Sequence, residues 1–504
     1  MLKSFRISIL ALWFLIATVP TFGADTLSVT ILHTNDTHGR LLPFSYPHIA
    51  PPGSETAALS QRRDIGGIAR RATLVKRIRA ELAGRAAAVW LVDAGDFSDG
   101  TAFSIEYRGE ADVAAMNAVG YDFATLGNHE FNYPLGQTQK LISLATYPIL
   151  SANTTRKADG KPLARPHTIQ TVGTLKVAIF GLTTHEAAAY PAAREELIVA
   201  DEIDTARRMA DLLDTQADLL IALSHCGEDV DERIAAAVPR IDVIVGGHSH
   251  SRLPSGKFVW HSETLEAGDI NGTIIVQNHQ WGGELGRLDL LLLRDATGRW
   301  RVTRYRARLL PVTAAIPEDA AVAAVVDKFW QPLAARYGER IGEAADDFVT
   351  IGDDLAEYNL MADAIRATFK TDFVVENIGG VRAPLVKGPI TRGDLALMDP
   401  FDNTIVTFAM SGQDLRKLLK KEAPAVSGLR YHIEGKKVTK ATCNGKKLED
   451  KHMYTGAANS FFARKWLKDV TVKDSGRKRL DVLVDYVRRQ GTVMPAYDGR
   501  RIYK

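Results

Sequence analysis

Five stretches of this chain carry side chains able to hold a divalent cation. They are His33-Thr-Asn-Asp36-Thr-His38, Asp93-Ala-Gly-Asp96, Gly127-Asn128-His129-Glu130, Ser224-His225 and Gly246-Gly-His248-Ser-His250. Carboxylates, several imidazoles and an amide oxygen together form the donor set of borderline metals such as zinc, manganese, iron or cobalt, not of calcium. Asp36, His38, Asp96, Asn128, His225, His248 and His250 make seven candidate ligands. Seven are too many for one tetrahedral ion and call for two ions sharing a carboxylate. Such a pair, about 4 Å apart, lowers the pKa of a bridging water to about 7, which puts hydroxide on hand for hydrolysis at neutral pH. One Asp-x-His or one Gly-Gly-His alone is an ordinary loop; five such motifs in this order are a site.

The elements that must position them are short apolar runs. Residues 27–33, 88–92, 122–126, 176–180, 219–223 and 242–245 are rich in Val, Ile and Leu, and 68–82 and 204–213 have helix-spaced apolar residues between them. This alternation is the signature of a layered α/β domain, in which ligands gather where the strands' carboxyl ends open. The run ending at Leu126 stops at Gly127 and presents Asn128 and His129 from a turn. Residues 273–277 and 287–293 read as strands of a closing antiparallel pair. Residues 44–64, flanked and crossed by Pro43, Pro47, Pro51 and Pro52, read as an irregular rim loop. A helix with acidic residues in its first turn runs from 316 to about 337 as a linker. Beyond it lie a helix (354–369), a strand (373–375), the turn Asn377-Ile-Gly-Gly-Val-Arg382, the stretch Met398-Asp-Pro-Phe-Asp-Asn403, a hairpin (429–447), a strand into Asn459-Ser-Phe-Phe462 and a last helix (479–489). The expected organisation is a signal peptide over 1–24, a catalytic domain over 25–315, a linker over 316–343 and a substrate domain over 344–504.

At 504 residues two domains are the default, and 46% hydrophobic with 24% charged residues describes an ordinary globular chain. The net charge is +3, and Lys3 and Arg6 supply two of those positives, so charge makes no case for a nucleic-acid polymer or a membrane surface as partner. The same two residues head an apolar run over 7–19 and a small-residue exit, Pro20-Thr-Phe-Gly-Ala24, the plan of a secretory signal. Cleavage after Gly23 suits the flanking residues better than cleavage after Ala24. Export to a periplasm or the medium is expected, with no membrane span once the leader is gone. The two cysteines, Cys226 and Cys443, are far apart and read as free thiols. A monomer or weak dimer is expected.

The five motifs resemble those of the 5′-nucleotidases, a branch of the calcineurin-like metallophosphoesterases. The likeness runs from Thr30-Ile-Leu-His-Thr-Asn-Asp36 to Val426-Ser-Gly-Leu-Arg-Tyr431. It implies a four-layer αββα catalytic sandwich followed by an α+β domain that binds the organic part of a nucleotide. Carried over, it implies that Asp36, His38 and His250 hold one ion, that Asn128, His225 and His248 hold the other, and that Asp96 bridges them. His129 would stand over the phosphate and assist departure of the leaving oxygen, while the bridging hydroxide attacks phosphorus in line. In the second domain the Asn377, Gly379, Gly380 and Arg382 loop matches the one that contacts ribose and phosphate. Phe401 and Phe461 match the rings that sandwich the base, and Asn403 offers a polar base contact. His33, Asn35 and Cys226 border the motifs as packing or supporting groups; His48, His185, His261 and His279 read as surface or loop histidines.

Three departures stand out. The family commonly has Gly-Asn-His-Glu-Phe-Asp, whose Asp partners the catalytic His; here that residue is Asn132, as in the related 2′,3′-cyclic-nucleotide phosphodiesterases. Its carbonyl can accept the ring N–H without adding charge, so His129 is expected to protonate less readily. A Gly-Gly-Asp-Gly turn is replaced by Arg464-Lys-Trp-Leu467, and phosphate-binding arginines near the helix at 354 by Thr350-Ile-Gly-Asp-Asp354. The leading expectation is an exported phosphohydrolase acting on nucleotides. Its competitors are a 2′,3′-cyclic-nucleotide phosphodiesterase with 3′-nucleotidase activity, another phosphate- or sulfur-ester hydrolase, and a non-catalytic nucleotide binder.

Overall fold

The computed structural model describes residues 26–47, 63–261, 271–295, 297–435 and 437–503. The expected signal segment, His48 and most of the proline-rich loop fall outside them.

Strands covered on both sides must be apolar on both faces, and that is how the first domain is built. In β1 (Thr26–Thr34), Val29 and Ile31 point to a facing sheet while Leu32 points to helices. With β2 (Ala88–Asp93), β3 (Phe123–Thr125) and β4 (Ile149–Leu150) it forms the parallel part of one sheet. The facing sheet holds β5 (His167–Val172), β6 (Leu175–Thr183), β7 (Leu219–His225), β8 (Val243–Gly246), β9 (Lys257–Trp260) and β10 (Gly272–Val276). Its order is β9-β10-β8-β7-β6-β5, with β6, β7, β8 and β10 mutually parallel. Two antiparallel strands, β11 (Glu284–Arg294) and β12 (Trp300–Pro311), complete the first sheet, whose order is β12-β11-β1-β2-β3-β4. Ile31, Val92, Ile179, Ile221, Leu223 and Val245 share the core between the sheets. The helices Ile68–Leu82 and Glu110–Val119 cover one outer face, and Glu202–Leu213 and Glu228–Ala237 the other. Helix, sheet, sheet, helix: this is the four-layer sandwich.

The expected pairing of 273–277 with 287–293 is corrected. These residues lie in different sheets; β11 pairs with β1 and with β12 instead. Arg301, Arg304, Arg306 and Arg308 in β12 hid that strand, because its solvent face alternates with a half-buried one.

The helix Ala320–Tyr337 starts after its cap, Asp319, whose side chain accepts from the Val322 amide. It packs Val322, Val326, Leu333 and Tyr337 into the first domain's outer core, and the Tyr107 and Tyr337 hydroxyls tie it down through the Phe329 carbonyl and Glu106. The second domain has a central sheet of Phe373–Glu376, Thr404–Ser411, Ala425–Ser427, Met453–Asn459 and Val472–Lys478. The helices Ala356–Phe369 and Arg479–Gln490 lie on one face, and the helix Gly412–Glu422 with the hairpin strands Leu429–Glu434 and Lys437–Cys443 on the other. Cys226 and Cys443 are free and buried. Among the described residues no helix is long and apolar enough to cross a membrane.

Candidate metal centre

The ends of β1, β2, β3, β7 and β8 bring all seven candidate ligands together. Asp36, His38 and His250 each place a donor atom within 4.8 Å of the other two, and so do Asp96, His225 and His248. His250 Nε2 is 3.2 Å from both Asp36 Oδ1 and His38 Nε2. His225 Nε2 joins the trios, 3.1 Å from Asp96 Oδ2 and 3.9 Å from Asp36 Oδ1. Burial opposes the charge on Asp36 and Asp96, yet the surrounding imidazoles hold both carboxyls below the ordinary range.

The donor set fits divalent ions on a structural test. Asp36 Oδ1, His225 Nε2 and Asn128 Oδ1 are buried without a hydrogen-bond partner. Each such atom costs about 1–3 kcal/mol, and cations in the cluster would satisfy all three. The outer atoms of the ligands are already committed. His225 Nδ1 donates to the Ala94 carbonyl (2.7 Å) and His38 Nδ1 to the Asp99 carbonyl (3.1 Å), which turns each Nε2 inward. Asn128 donates its amide to the Tyr190 hydroxyl (2.7 Å), which commits its nitrogen and leaves Oδ1 as the unpartnered end. Asp36 Oδ2 accepts from Asn35 Nδ2 (2.8 Å) and the His248 amide (2.9 Å). Asn35 is thus the supporting group expected of it.

Close packing leaves no room for larger residues at the loop glycines. A Cβ on Gly127 would sit 2.1 Å from Asp96 Oδ1, and one on Gly247 2.9 Å from His225 Nδ1. Six site residues have left-handed backbones: Asp36, His38, Asp96, Asp99, His248 and His250, with φ between 48° and 76°. Non-glycine residues so held are rare and cluster at functional sites. Glu130 staples two of the loops: Oε2 accepts from the Gly127 and Asp96 amides, and Oε1 from the Ser98 amide and hydroxyl. Burial and the Asp96 charge push its carboxyl up to about 7.

His129 borders the cluster, forming a third trio within 4.8 Å with His38 and Asp96, its Nε2 4.0 Å from Asp96 Oδ2. Its Nδ1 meets Asp99 Oδ2 at 2.8 Å. The expected partnership with Asn132 is corrected here. Asn132 turns its amide nitrogen to Asp99 Oδ2 and to within 2.9 Å of the ring Nδ1, and the stronger acceptor, a carboxylate, takes the ring position. Burial lowers the His129 pKa, but Asp96 and Asp99 outweigh it and the net shift is upward, opposite to the expectation from Asn132. On the other edge, Arg382 Nη2 donates to His129 Nε2 (3.2 Å), bringing the second domain onto the first.

The remaining candidates divide. Asn377 accepts from Asn459 (2.9 Å), and the Gly380 carbonyl accepts from Arg479 (2.7 Å). Gly379 has φ 86° and is exposed. Asn403 accepts from the Ser460 hydroxyl (3.2 Å), which sets the stretches bearing Phe401 and Phe461 side by side. Phe461 is 41% exposed and packs edge-on against Trp466. A cavity of about 450 Å³ runs between the domains, lined by His38, Arg40, Asp99, His250, Trp281 and Arg382 among others. Asn377, Phe401, Asn403 and Phe461 are not in its wall. Arg40 is buried against the Trp281 ring face, 3.7 Å from its centroid. His279 is corrected from a surface histidine: it is 4% exposed, and its carbonyl accepts from Asn35 beside Asp36. His185 is exposed, and His33 is buried beneath Gly286.

Sequence reasoning passed over Asp99, Glu130, Tyr190 and Arg479. Asp99, three residues after Asp96 and before a glycine, looks like a turn residue, and Tyr190 and Arg479 carry no local signal at all.

The calcineurin-like phosphoesterase family model matches residues 29–252, and the 5′-nucleotidase C-terminal domain model matches 340–468. The chain is 30% identical over 505 residues to a 5′-nucleotidase of Vibrio cholerae, an alignment covering 89% of this chain and 87% of that one. Among solved structures it resembles a 5′-nucleotidase precursor from Thermus thermophilus, with 27% identity and a TM-score of 0.81 over 95% of this chain and 99% of that one. It shares its fold with the sulfate thiohydrolase SoxB of the same genus at 20% identity and a TM-score of 0.78, over 94% and 96% of the two chains.

Proposed function

The chain belongs to the 5′-nucleotidase family and is a metal-dependent phosphoester hydrolase, and on that premise we propose that it is an exported two-metal enzyme releasing phosphate from nucleotides. The observation that carries this reading is the pair of donor trios meeting at Asp96 and His225, with three buried atoms left for cations and His129 bordering them. Asp36, His38 and His250 would hold one ion, Asn128, His225 and His248 the other, and Asp96 both. When bound, such ions supply an activated water and neutralise phosphate oxygens.

The chain's own residues do the rest. Arg382 reaches the edge of the cluster from the second domain and grips the phosphate. His129 presents Nε2 where the leaving oxygen departs, the place Arg382 fills in this structure, and gives it a proton. The loop from Asn377 through Gly379 and Gly380 orients the sugar, and Phe401 and Phe461 offer faces to the base. Asn403 supports that wall through Ser460. Residues 25–315 form the catalytic body, 316–343 the linker and 344–504 the substrate domain, behind a signal peptide over 1–24 that sends the product to the periplasm or beyond.

Phosphate release from AMP, 3′-AMP and 2′,3′-cyclic AMP tests the proposal, with His129→Ala beside the wild type. AMP should be cleaved fastest and the variant should fail on it. If no ester yields phosphate with any divalent metal, the chain is a binder instead.

A further inference from the structure

His129 has Asn132 rather than an acid three residues on, yet a carboxylate reaches it from another loop. Asp99 is 6% exposed, has φ 71°, and its amide is anchored to the Ser104 hydroxyl (2.9 Å). Its backbone carbonyl receives the ligand His38, while its side chain receives His129. We propose that Asp99 is the positioning residue for His129: its carboxylate accepts Nδ1–H, so that Nε2 faces the leaving oxygen, and Asn132 is the clamp that holds Asp99 there. The inference rests on the phosphohydrolase reading for the task of His129 and goes beyond it in moving the charge out of the Gly-Asn-His-Glu-Phe-Asn turn.

Two contacts fix the ring. Asn132 points its NH₂ at Asp99 Oδ2 and beside His129 Nδ1, and an amide donor cannot accept the ring N–H, whereas the carboxylate can. Arg382 donates to Nε2, which requires a lone pair there and places the proton on Nδ1. Asp96, the other carboxylate near the ring, faces Nε2 and belongs to the ligand set. In the reaction, Arg382 leaves Nε2 for the phosphate, Nε2 takes a proton from solvent to give the imidazolium, and the ring passes that proton to the leaving oxygen as the P–O bond breaks and the bond's electron pair goes to that oxygen. Nδ1–H stays on Asp99 throughout, so the ring returns as the neutral tautomer without turning.

Asp99→Asn is the test, because Asn keeps the side-chain shape and tolerates a left-handed backbone. On AMP, whose alkoxide leaves poorly, kcat should fall about 100-fold. On p-nitrophenyl phosphate, whose leaving group needs no proton, the fall should be below about threefold, with KM and bound metal little changed on both. Asn132→Asp in the Asp99→Asn background should recover at least about tenfold on AMP by restoring a carboxylate beside Nδ1. Independently of turnover, ¹⁵N shifts of the His129 ring in the metal-free protein should report Nδ1–H in the wild type and a tautomer mixture in Asp99→Asn. Equal losses on the two esters, no recovery in the double variant, or an unchanged ring spectrum would overturn the assignment. A wild type that cleaves neither ester would end the hydrolase reading, and the ring spectrum would still decide the role of Asp99.

Discussion

The two sides of the cleft are built on opposite plans. On the metal side every candidate ligand lies in its strand or within four residues of its end, and neutral groups orient them: the Ala94 carbonyl for His225, the Asp99 carbonyl for His38 and the Tyr190 hydroxyl for Asn128. In the second domain the loop from Asn377 to Arg382 is held instead by a buried ion cluster. Arg479, fully buried at the start of the last helix, donates to Asp399, Gly380 and Glu376, which lie 80, 99 and 103 residues away. Burial works against its charge, and Asp399 with Glu376 more than offsets that. Local construction ties the metal side to strand ends that the whole fold must form. The ion cluster ties the second-domain loop to the start of the last helix.

That contrast can be broken at either end. The largest effect should come from Asp96→Ala, which removes the carboxylate proposed to be shared by the two ions. Phosphate release should drop to background with loss of bound metal, and a variant that kept its metal would sink the two-ion arrangement. His129→Ala should lower kcat on AMP by about 10²–10⁴-fold with little change in KM; a change confined to KM would move His129 to the binding side of the comparison. Arg479→Met should leave Glu376 and Asp399 buried without a counter-charge and cost about 3–5 kcal/mol of stability. Denaturant unfolding should show that loss in the second domain while metal content holds. Phe461→Ala should be the mildest, weakening nucleotide binding by about 1–3 kcal/mol if its ring stacks on the base. An unchanged KM for AMP would place the base elsewhere, along the cavity under Trp281.

The same contrast explains what could be read from the sequence. Strand-exit motifs are local, so the seven candidate ligands and the five strands that carry them were legible, whereas helices such as Glu110–Val119 and Gly412–Glu422 were not. A short run of branched residues followed by glycine and a polar group announces both the strand and its cargo. Asp99 was within sight but anonymous, because only the folded loop shows its carboxylate beside His129. β12 escaped because its outer face is rich in arginine, and Arg479 because nothing near it in the chain reveals that it lies under Gly380. His279 was misplaced for the same reason: burial is decided by Tyr46 and Asn35, which are remote in sequence.

The left-handed backbones around the cluster carry a practical lesson for anyone wanting an inert version of this protein. Alanine at Asp36, Asp96, His248 or His250 removes a donor but keeps a Cβ that resents the conformation, about 1–2 kcal/mol at each. Glycine removes the donor and relaxes the chain as well. A silenced variant for trapping ligand should therefore be sturdier when made with glycine, reversing the usual habit of mutagenesis.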